Sequence, residues 1–565
     1  MGRLNKKIAA AVVMGVLLLG FAACGLSPEP YTEAVRKDET IGVSTETGAV
    51  DESYGISNMS TQGYWPQEEI PYNTEEYSSV EESGFVATAT SPLSTVSADV
   101  DTASYANLRR MLRDGYTVQS KSGVEKPVGE EAQEYELYPD YYAEAYSVIP
   151  AGAVRIEEML NYFSYDYDKP SEKDGFAITK RMGKCPWNAD TELLVLGFAT
   201  APEDKSVTEK GSNLVFLIDV SGSMDDPDKL PLLQSAFGEL VGQLGEQDRV
   251  SIVTYSGEER VVLEGVSGSD HTAIMRAVRS LKADGSTNGE AGLRMAYKVA
   301  QDHFIEGGVN RIVMASDGDL NVGMTSESDL HDYVKAQRDS GIYLSVLGFG
   351  AGNYKDSKME TIADNGNGSY HYIDCEEEAK RVFGERLCAN LVPFANDVKV
   401  QVEFNPSFVK GYRLVGYENR RMAAEDFKDD SKDAGDVGPS SQFTVVYEIV
   451  RTDSPMEIAT PELKYGKTAS GDAATTEWLT AKLRYKPIGG SEVKETSAAM
   501  SEADWSDNPG SDWRFAAAVT EFGMILRDSD HKGSSSYDSV RKLVGDTDDE
   551  LRAGFLELVD LAEKN

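Results

Sequence analysis

The sequence contains very few cysteines. Its 565 residues include only four, at positions 24, 185, 375 and 388. Three remain after Cys24, an odd and widely spaced set that implies no disulfide framework. Cys375 and Cys388 flank a predicted helix, so a bond between them is one arrangement, and three reduced, packed thiols are the arrangement we favour.

Basic residues are also scarce. Lys and Arg number 55 against 95 Asp and Glu, which gives a formal net charge of -40. Such a charge opposes binding to phosphate backbones and to anionic membrane surfaces, so we expect no nucleic-acid partner. Residues 38–108 contain no Lys or Arg. We predict a disordered acidic stalk over residues 25–90, because the segment is rich in Ser, Thr, Gly, Tyr and Glu.

Motifs of catalysis are missing as well. The chain has no His-Glu-x-x-His, no Gly-x-Ser-x-Gly and no P-loop. The histidines have no neighbours at metal-ligand spacing; they are His271, His303, His331, His371 and His531. We therefore predict that the protein is not an enzyme, with a metal-dependent hydrolase as the less favoured alternative.

The first residues have the composition of an export signal. Basic residues precede an apolar run from Ile8 to Phe21, and Ala22-Ala23-Cys24 follows. The run is shorter than the ~20 residues that span a bilayer, which disfavours an uncleaved anchor. Cys24 at this point resembles the lipidated cysteine of a bacterial lipobox, although Phe21 stands where Leu is more usual. The resemblance implies a signal peptide over 1–24, a lipid anchor at Cys24 and an extracytoplasmic protein held to the membrane.

A metal-binding spacing follows the apolar run 213–218. Asp219, Ser221 and Ser223 form the pattern Asp-x-Ser-x-Ser. Alternate residues of an extended segment point the same way, so a carboxylate and two hydroxyls can converge. Oxygen ligands suit Mg²⁺, Mn²⁺ or Ca²⁺. Three ligands do not complete an octahedron, and Thr287 and Asp317 are further candidates, each where a strand or loop gives way to a helix.

The same region alternates between strand and helix patterns. Strand-like apolar runs, typical of parallel strands covered on both faces, lie at 213–219, 249–255, 310–316 and 342–349. Between them apolar residues recur at three- and four-residue steps, which indicates helices. The pattern predicts an α/β fold with a doubly wound, mostly parallel sheet. Such sheets bind ligands at the carboxyl ends of their strands, where the candidate ligands lie.

Residues 211–392 resemble a von Willebrand factor type A domain. The family's metal-ion-dependent adhesion site uses Asp-x-Ser-x-Ser, a Thr in a second loop and an Asp in a third. By position the resemblance implies the ligands Asp219, Ser221, Ser223, Thr287 and Asp317. The family usually has Gly-Gly-Thr where this chain has Gly-Ser-Thr, which leaves the hydroxyl in place. The alternative is that these fragments are ordinary turns and a helix cap.

The flanking regions carry further patterns. We predict a mixed helix and strand region over 91–210, a β-rich domain over 393–490, where apolar residues alternate with period two, and a helical region over 505–565. The runs 153–163, 391–395 and 512–519 resemble the flanks of a family of bacterial von Willebrand type A lipoproteins. The chain order suggests that strands before and after the type A domain form one sandwich.

The function has to be argued from the metal site. Ser and Thr are neutral ligands, so the cation keeps much of its charge and favours an anionic sixth ligand. We predict that a partner protein supplies an exposed Asp or Glu to this cation. The alternative is a structural or chaperone-like envelope assembly component whose metal only braces the loops.

Overall fold

The structure is a computed structural model of the chain, which divides into two units, Met1–Glu68 and Glu69–Asn565. All described residues belong to the second unit. They are residues 74–118, 148–171, 175–202, 210–286, 289–318, 327–386, 394–460, 471, 474–488 and 492–565. No helix within these ranges is long and apolar enough to cross a bilayer.

Four strands and two helices precede the parallel sheet. The strands are β1 (Val86–Ala87), β2 (Leu93–Ser97), β3 (Phe176–Lys184) and β4 (Glu192–Thr200). The helices are α1 (Ala103–Arg113) and α2 (Ile156–Asn161).

The parallel-sheet domain follows as one contiguous stretch. Its strands are β5 (Ser212–Asp219), β6 (Arg249–Tyr255), β7 (Glu259–Ser267), β8 (Val309–Ser316), β9 (Tyr343–Phe349) and β10 (Tyr370–Ile373). Its helices are α3 (Leu230–Val241), α4 (His271–Ser280), α5 (Gly289–Asp302), α6 (Glu327–Arg338), α7 (Asp356–Asn365) and α8 (Glu376–Arg381).

The sheet of this domain is doubly wound. Its strand order is β10-β9-β8-β5-β6-β7, and all neighbours run parallel except β6 and β7. Helices α3, α4 and α8 pack on one face, and α5, α6 and α7 pack on the other. Strands β5 and β8 are therefore buried along almost their whole length, as the apolar runs in their sequences indicate. The predicted fold class is confirmed.

Seven strands and three helices complete the chain. The strands are β11 (Ala395–Phe404), β12 (Val409–Val415), β13 (Arg421–Met422), β14 (Gly435–Val437), β15 (Gln442–Arg451), β16 (Glu477–Pro487) and β17 (Lys494–Ser501). The helices are α9 (Ser511–Leu526), α10 (Tyr537–Val544) and α11 (Glu550–Lys564).

Strands from both sides of the parallel-sheet domain share two antiparallel sheets. One has the order β1-β12-β15-β4-β3, and the other has the order β13-β2-β11-β16-β17 with β14 also paired to β11. Their inner faces form one core, in which the rings of Phe404 and Tyr412 stack across the sheets at 4.1 Å between centroids. The expectation that flanking strands form one sandwich is confirmed by these pairings.

A helical layer covers the outer face of the sheet that contains β4. Helix α9 lies on this face, where the indole of Trp513 donates to the carbonyl of Leu193 at 3.2 Å. Phe515 of α9 packs edge-on against Phe163 and Phe555. The Asp549 carboxylate caps α11 by accepting from two backbone N–H groups of its first turn, which sets where that helix begins.

Helix α1 joins the helical layer to the parallel-sheet domain. Its Leu108 and Met111 belong to the core of the helical layer, whereas Ala103 and Ala106 pack on the face of the parallel sheet that carries α7. Arg109 extends the link, because its guanidinium binds Asp374 at the end of β10 with an Nε–Oδ2 distance of 2.7 Å. The helical layer and the parallel-sheet domain are thus held together by both apolar packing and ion pairs.

The observed structure differs from two of the sequence predictions. The stalk predicted over 25–90 ends earlier, because residues 74–90 are folded: β1 pairs with β12, and Glu76 forms a bridge with Lys355. Residues 25–73 lie outside the described part. The β-rich region predicted to end at 490 continues through β17, whose mixed polar sequence gives little alternation to detect.

Candidate metal centre

Asp219 is the last residue of β5 and lies at the carboxyl edge of the parallel sheet. Its carboxylate is fully buried. Oδ1 accepts from the backbone N–H of Ser221 at 2.9 Å, and Oδ2 accepts from the hydroxyl of Ser316 at 3.2 Å. Burial raises the pKa of Asp219 to about 6, although the hydrogen bonds from Ser221 act in the opposite direction. Among the described residues no cationic side chain pairs with this carboxylate, and a buried carboxylate of that kind is suited to a metal ion.

Ser221 and Ser223 bring two hydroxyls to the same place. Their Oγ atoms lie 3.1 Å apart, with Ser221 buried and Ser223 exposed. Two adjacent ligands of an octahedral Mg²⁺ ion at ~2.1 Å lie about 3 Å apart, so this spacing fits neighbouring ligand positions. The exposed side of Ser223 marks the side from which a further ligand can approach.

The loop that leads to Thr287 lies against the first motif. The N–H of Asp284 donates to the carbonyl of Val220 at 2.8 Å, and the N–H of Gly222 donates to the carbonyl of Gly285 at 3.0 Å. Thr287 itself lies outside the described residues, so its role stays a prediction. The position of Gly285, two residues earlier in the chain, agrees with that role.

Asp317 follows β8 and is buried beside the other ligands. The next residue, Gly318, has φ +96, and a Cβ there would lie 2.5 Å from the backbone N of Lys355. Only glycine therefore allows the loop after Asp317 to pass this close to residues 354–355. The structure thus brings four of the five predicted ligands, Asp219, Ser221, Ser223 and Asp317, to one edge of the sheet.

The donor set suits a hard cation. It consists of carboxylate and hydroxyl oxygens, which are ligands of Mg²⁺, Mn²⁺ and Ca²⁺. The described residues contain no cluster of three or more His, Cys, Asp or Glu side chains arranged to hold a metal. A metal at this edge would thus depend on serine and threonine hydroxyls as well as on its two carboxylates.

Sequence reasoning missed Lys229 at this site. Its ammonium donates to the carbonyl of Ser223 at 2.9 Å and lies 3.3 Å from Oδ2 of Asp317. The ammonium also lies 3.3 Å from Oδ2 of Asp226, an exposed carboxylate. A lysine ten residues after Asp219, directly before a helix, gives no periodic signal that distinguishes it from surface lysines.

A glycine-containing loop covers Lys229. We call residues 350–355 the roof loop. Gly350 has φ +72, and a Cβ at Gly350 would lie 2.2 Å from Cε of Lys229. The stem of Lys229 is therefore enclosed between α3 and the roof loop, which holds its ammonium toward Asp317.

An N-terminal segment fastens the roof loop. We call Thr74–Tyr77 the strap. The N–H of Thr74 donates to the carbonyl of Gly352 at 2.7 Å, and the N–H of Glu76 donates to that of Tyr354 at 2.9 Å. The Glu75 carboxylate accepts from the N–H of Gly352 at 2.8 Å and pairs with Arg110 of α1 at 3.0 Å. The strap therefore ties the roof loop to α1.

Three family models match the chain in succession. A model described as von Willebrand factor matches residues 71–125 and 142–195, the von Willebrand factor type A domain model matches 213–385, and a model described as uncharacterized protein YfbK, C-terminal, matches 389–564. The protein designated uncharacterized protein YfbK of Escherichia coli (strain K12) is 38% identical over 504 residues, which cover 87% of this chain and 81% of that protein. The chain belongs to the YfbK family of von Willebrand factor type A proteins.

More distant similarities concern the type A domain. Inter-alpha-trypsin inhibitor heavy chain H4 of Sus scrofa is 31% identical over 158 residues, 26% of this YfbK-family chain and 17% of the pig protein. The solved von Willebrand factor type A protein from Catenulispora acidiphila is 17% identical with a TM-score of 0.39, covering 64% of this chain and 80% of that one. At that score the similarity carries no functional inference. Type A domains are protein-interaction modules, and this chain contains one.

Proposed function

We propose that this protein is a cell-envelope lipoprotein that binds a partner protein through a divalent cation in its type A domain. The observation that carries the proposal is the convergence of Asp219, Ser221, Ser223 and Asp317 at the carboxyl edge of the parallel sheet. The cation would be Mg²⁺, Mn²⁺ or Ca²⁺, and Thr287 would complete the protein's own ligands. An exposed Asp or Glu of the partner would be the last ligand.

The charges of the donor set support an acidic partner. Two carboxylates balance a divalent cation, and the hydroxyls of Ser221 and Ser223 add no charge. The two carboxylates and the cation together carry no net negative charge, so they do not repel an anionic ligand that binds the cation. The exposure of Ser223 gives the partner's carboxylate an approach to the ion.

A bracing role for the metal is less well supported. The first motif is already joined to residues 284–285 by two backbone hydrogen bonds, and Lys229 already joins Ser223 to Asp317. These contacts join the loops through protein atoms alone, which favours a binding role for the ion over a bracing role.

Partner capture tests the proposal. The full-length protein is immobilised and exposed to envelope extract with Mg²⁺ or with a chelator, and the retained proteins are identified. We expect a partner that is retained only with Mg²⁺ and that the Asp219→Ala variant does not retain. Asp225→Ala is the matched control, because it removes an exposed carboxylate two residues after Ser223. Capture that persists in chelator and in Asp219→Ala, with both variants folded by circular dichroism, contradicts the proposal.

The lipid anchor needs its own test. Cys24 lies outside the described residues, and its lipidation is proposed from the sequence. Cells expressing the protein are fed a radiolabelled fatty acid, and membranes are then separated from soluble fractions. We expect label on the wild-type protein and none on Cys24→Ser. A labelled Cys24→Ser variant would refute anchoring at this cysteine.

A further inference from the structure

The candidate metal centre contains a positive charge that belongs to the protein. The ammonium of Lys229 lies 3.3 Å from Oδ2 of Asp317 and donates to the carbonyl of Ser223, one of the two serines of the motif. Its side chain is only 7% exposed. A buried ammonium is costly unless it is paired, and here its buried partner is a predicted metal ligand.

The surroundings of Lys229 leave its ammonium little freedom. A Cβ at Gly350 would lie 2.2 Å from Cε, so the roof loop touches the lysine stem. The backbone N–H of Lys229 donates to the carbonyl of Asp226 at 3.0 Å, and its own carbonyl accepts from Leu233 in the first turn of α3. Hydrogen bonds thus hold the backbone of Lys229, and the roof loop holds its side chain, so the position of the ammonium is fixed.

The charge balance of the site changes when this ammonium is counted. Asp219 and Asp317 contribute two negative charges, which a divalent cation neutralises. Lys229 adds one positive charge, so the loaded site has a net charge of +1. Asp226 also lies 3.3 Å from the ammonium, but its side chain is 67% exposed and its effect is reduced by solvent.

We propose that Lys229 is a positioning residue that weakens the binding of the divalent cation and strengthens the binding of an acidic ligand to the loaded site. Like charges repel, so the ammonium raises the free energy of the bound cation. The same ammonium leaves the loaded site positive, which attracts a carboxylate. This inference rests on the proposed function, since it presupposes a cation at Asp219, Ser221, Ser223 and Asp317.

Neutral variants of the full-length protein separate charge from structure. Lys229→Met keeps the shape of the stem, and Lys229→Gln also keeps one donor for the carbonyl of Ser223. Lys282→Met is the matched control, because it removes the same charge from an exposed position on the loop that leads to Gly285. Mn²⁺ affinity is measured by electron paramagnetic resonance. Acetate, as a carboxylate probe, is titrated into the Mn²⁺-loaded protein and followed by water-proton relaxation.

The expected result is a pair of opposite changes. Both neutral variants bind Mn²⁺ about tenfold more tightly than the wild type, and both bind acetate several-fold more weakly. Lys282→Met changes neither affinity by more than about twofold. A residue that only supported the loops would weaken both affinities when replaced.

Other outcomes contradict either the role of Lys229 or the proposed function, and the experiment distinguishes the two. Unchanged or weaker Mn²⁺ binding in the two variants overturns the role of Lys229 while leaving the proposed function standing. Failure of both variants to fold also overturns it, because Lys229 would then be a structural residue. Absence of Mn²⁺ binding to the wild type refutes the proposed function itself.

Discussion

Lys229 and Asp317 form a buried ion pair at the edge of the sheet where the candidate metal ligands meet. The Nζ–Oδ2 distance is 3.3 Å, and the side chains are 7% and 2% exposed. Asp219, the other buried carboxylate of the site, has no such cationic partner among the described residues. The two aspartates therefore differ in how they affect the stability of the protein without a metal.

Replacing Asp219 by Asn should stabilise the metal-free protein. Because burial raises the pKa of Asp219 to about 6, the ionised carboxylate opposes folding at pH 7. Removing it should raise the free energy of unfolding by about 1–3 kcal/mol, while Mg²⁺ no longer protects the protein. Urea denaturation with and without Mg²⁺ measures both effects.

Asp317→Asn is the contrasting variant: it leaves Lys229 without its buried partner and should destabilise the metal-free protein by roughly 1–3 kcal/mol. Equal effects of the two variants would disprove this distinction.

Replacing Gly350 by Ala should destabilise the protein more than the same change at Gly352. Both residues have positive φ, +72 and +87, so each alanine costs about 1 kcal/mol in backbone strain. A Cβ at Gly350 would also lie 2.2 Å from Cε of Lys229, whereas one at Gly352 meets no atom of the described residues within 4 Å. The expected extra loss for Gly350→Ala is roughly 1–3 kcal/mol, measured by thermal or chemical unfolding. Equal losses at the two glycines would show that Lys229 moves aside freely.

The strap should contribute to stability through Glu75 rather than through Glu76. The Glu75 side chain is 4% exposed and joins Arg110 to the roof loop, whereas Glu76 is 66% exposed where it pairs with Lys355. Glu75→Ala should cost about 2–4 kcal/mol, because it leaves a buried guanidinium and a backbone N–H without this acceptor. Glu76→Ala should cost less than about 1 kcal/mol. Limited proteolysis between residues 69 and 100 should accelerate in the first variant alone.

Stability should fall as the pH rises toward neutrality because of Glu157. This carboxyl is fully buried in α2, its Oε2 accepts from the N–H of Tyr417 at 2.9 Å, and its Oε1 has no partner among the described residues. Burial raises the pKa of Glu157 to about 7, and the nearby charges of Glu418 and Asp99 act in the same direction.

The sign of this effect follows from the direction of the shift. A carboxyl whose pKa is higher in the folded state than its ordinary 4.5 favours folding while protonated, so its contribution is present below pH 4.5 and is lost as the pH rises to about 7. The wild type should lose up to about 3 kcal/mol across this window relative to Glu157→Gln. Denaturant titrations from pH 4.5 to 8 measure the difference. A constant difference at every pH would contradict the shift.

The opposite behaviour is expected of Glu378 in α8. Burial alone would raise its pKa, but the guanidinium groups of Arg381 and Arg109 outweigh burial and hold the pKa at about 2. Its stabilising effect is therefore present above pH 4.5 and is lost as the pH falls toward 2, outside the window of Glu157.

The central strands of the fold were predictable because each is a run of seven or eight residues rich in large apolar side chains. The runs at 213–219 and 249–255 agree with β5 and β6 to within one residue. Strands β7 and β10 gave no comparable signal. The first is an edge strand with half-exposed side chains, and the second has only four residues.

The predictable part of the site is the part that follows a strand. Asp219 and Asp317 occupy strand ends, and adjacent parallel strands bring their ends together at one edge. Lys229 and the strap depend on contacts between distant parts of the chain, such as Glu76 with Lys355, and no local pattern encodes those contacts. The same reason explains why residues 74–90 were predicted to belong to the stalk. Their composition is that of a linker, and they are folded because they pair with β12 and with the roof loop.

The division of each sandwich sheet between the two ends of the chain has a consequence for synthesis. Strand β4 pairs with β15, in which Val446 lies opposite Val195. Strand β4 therefore cannot form this pairing until the ribosome has synthesised β15. At ribosomal rates of about 5–20 residues per second, the roughly 240 residues between the strands correspond to a delay on the order of 10–50 s. The parallel-sheet domain is one contiguous stretch and does not share this delay. During the interval β11 and β16 of the opposite sheet are also absent, so the apolar side chains of Leu194, Leu196 and Phe198 lack the core that covers them in the finished fold.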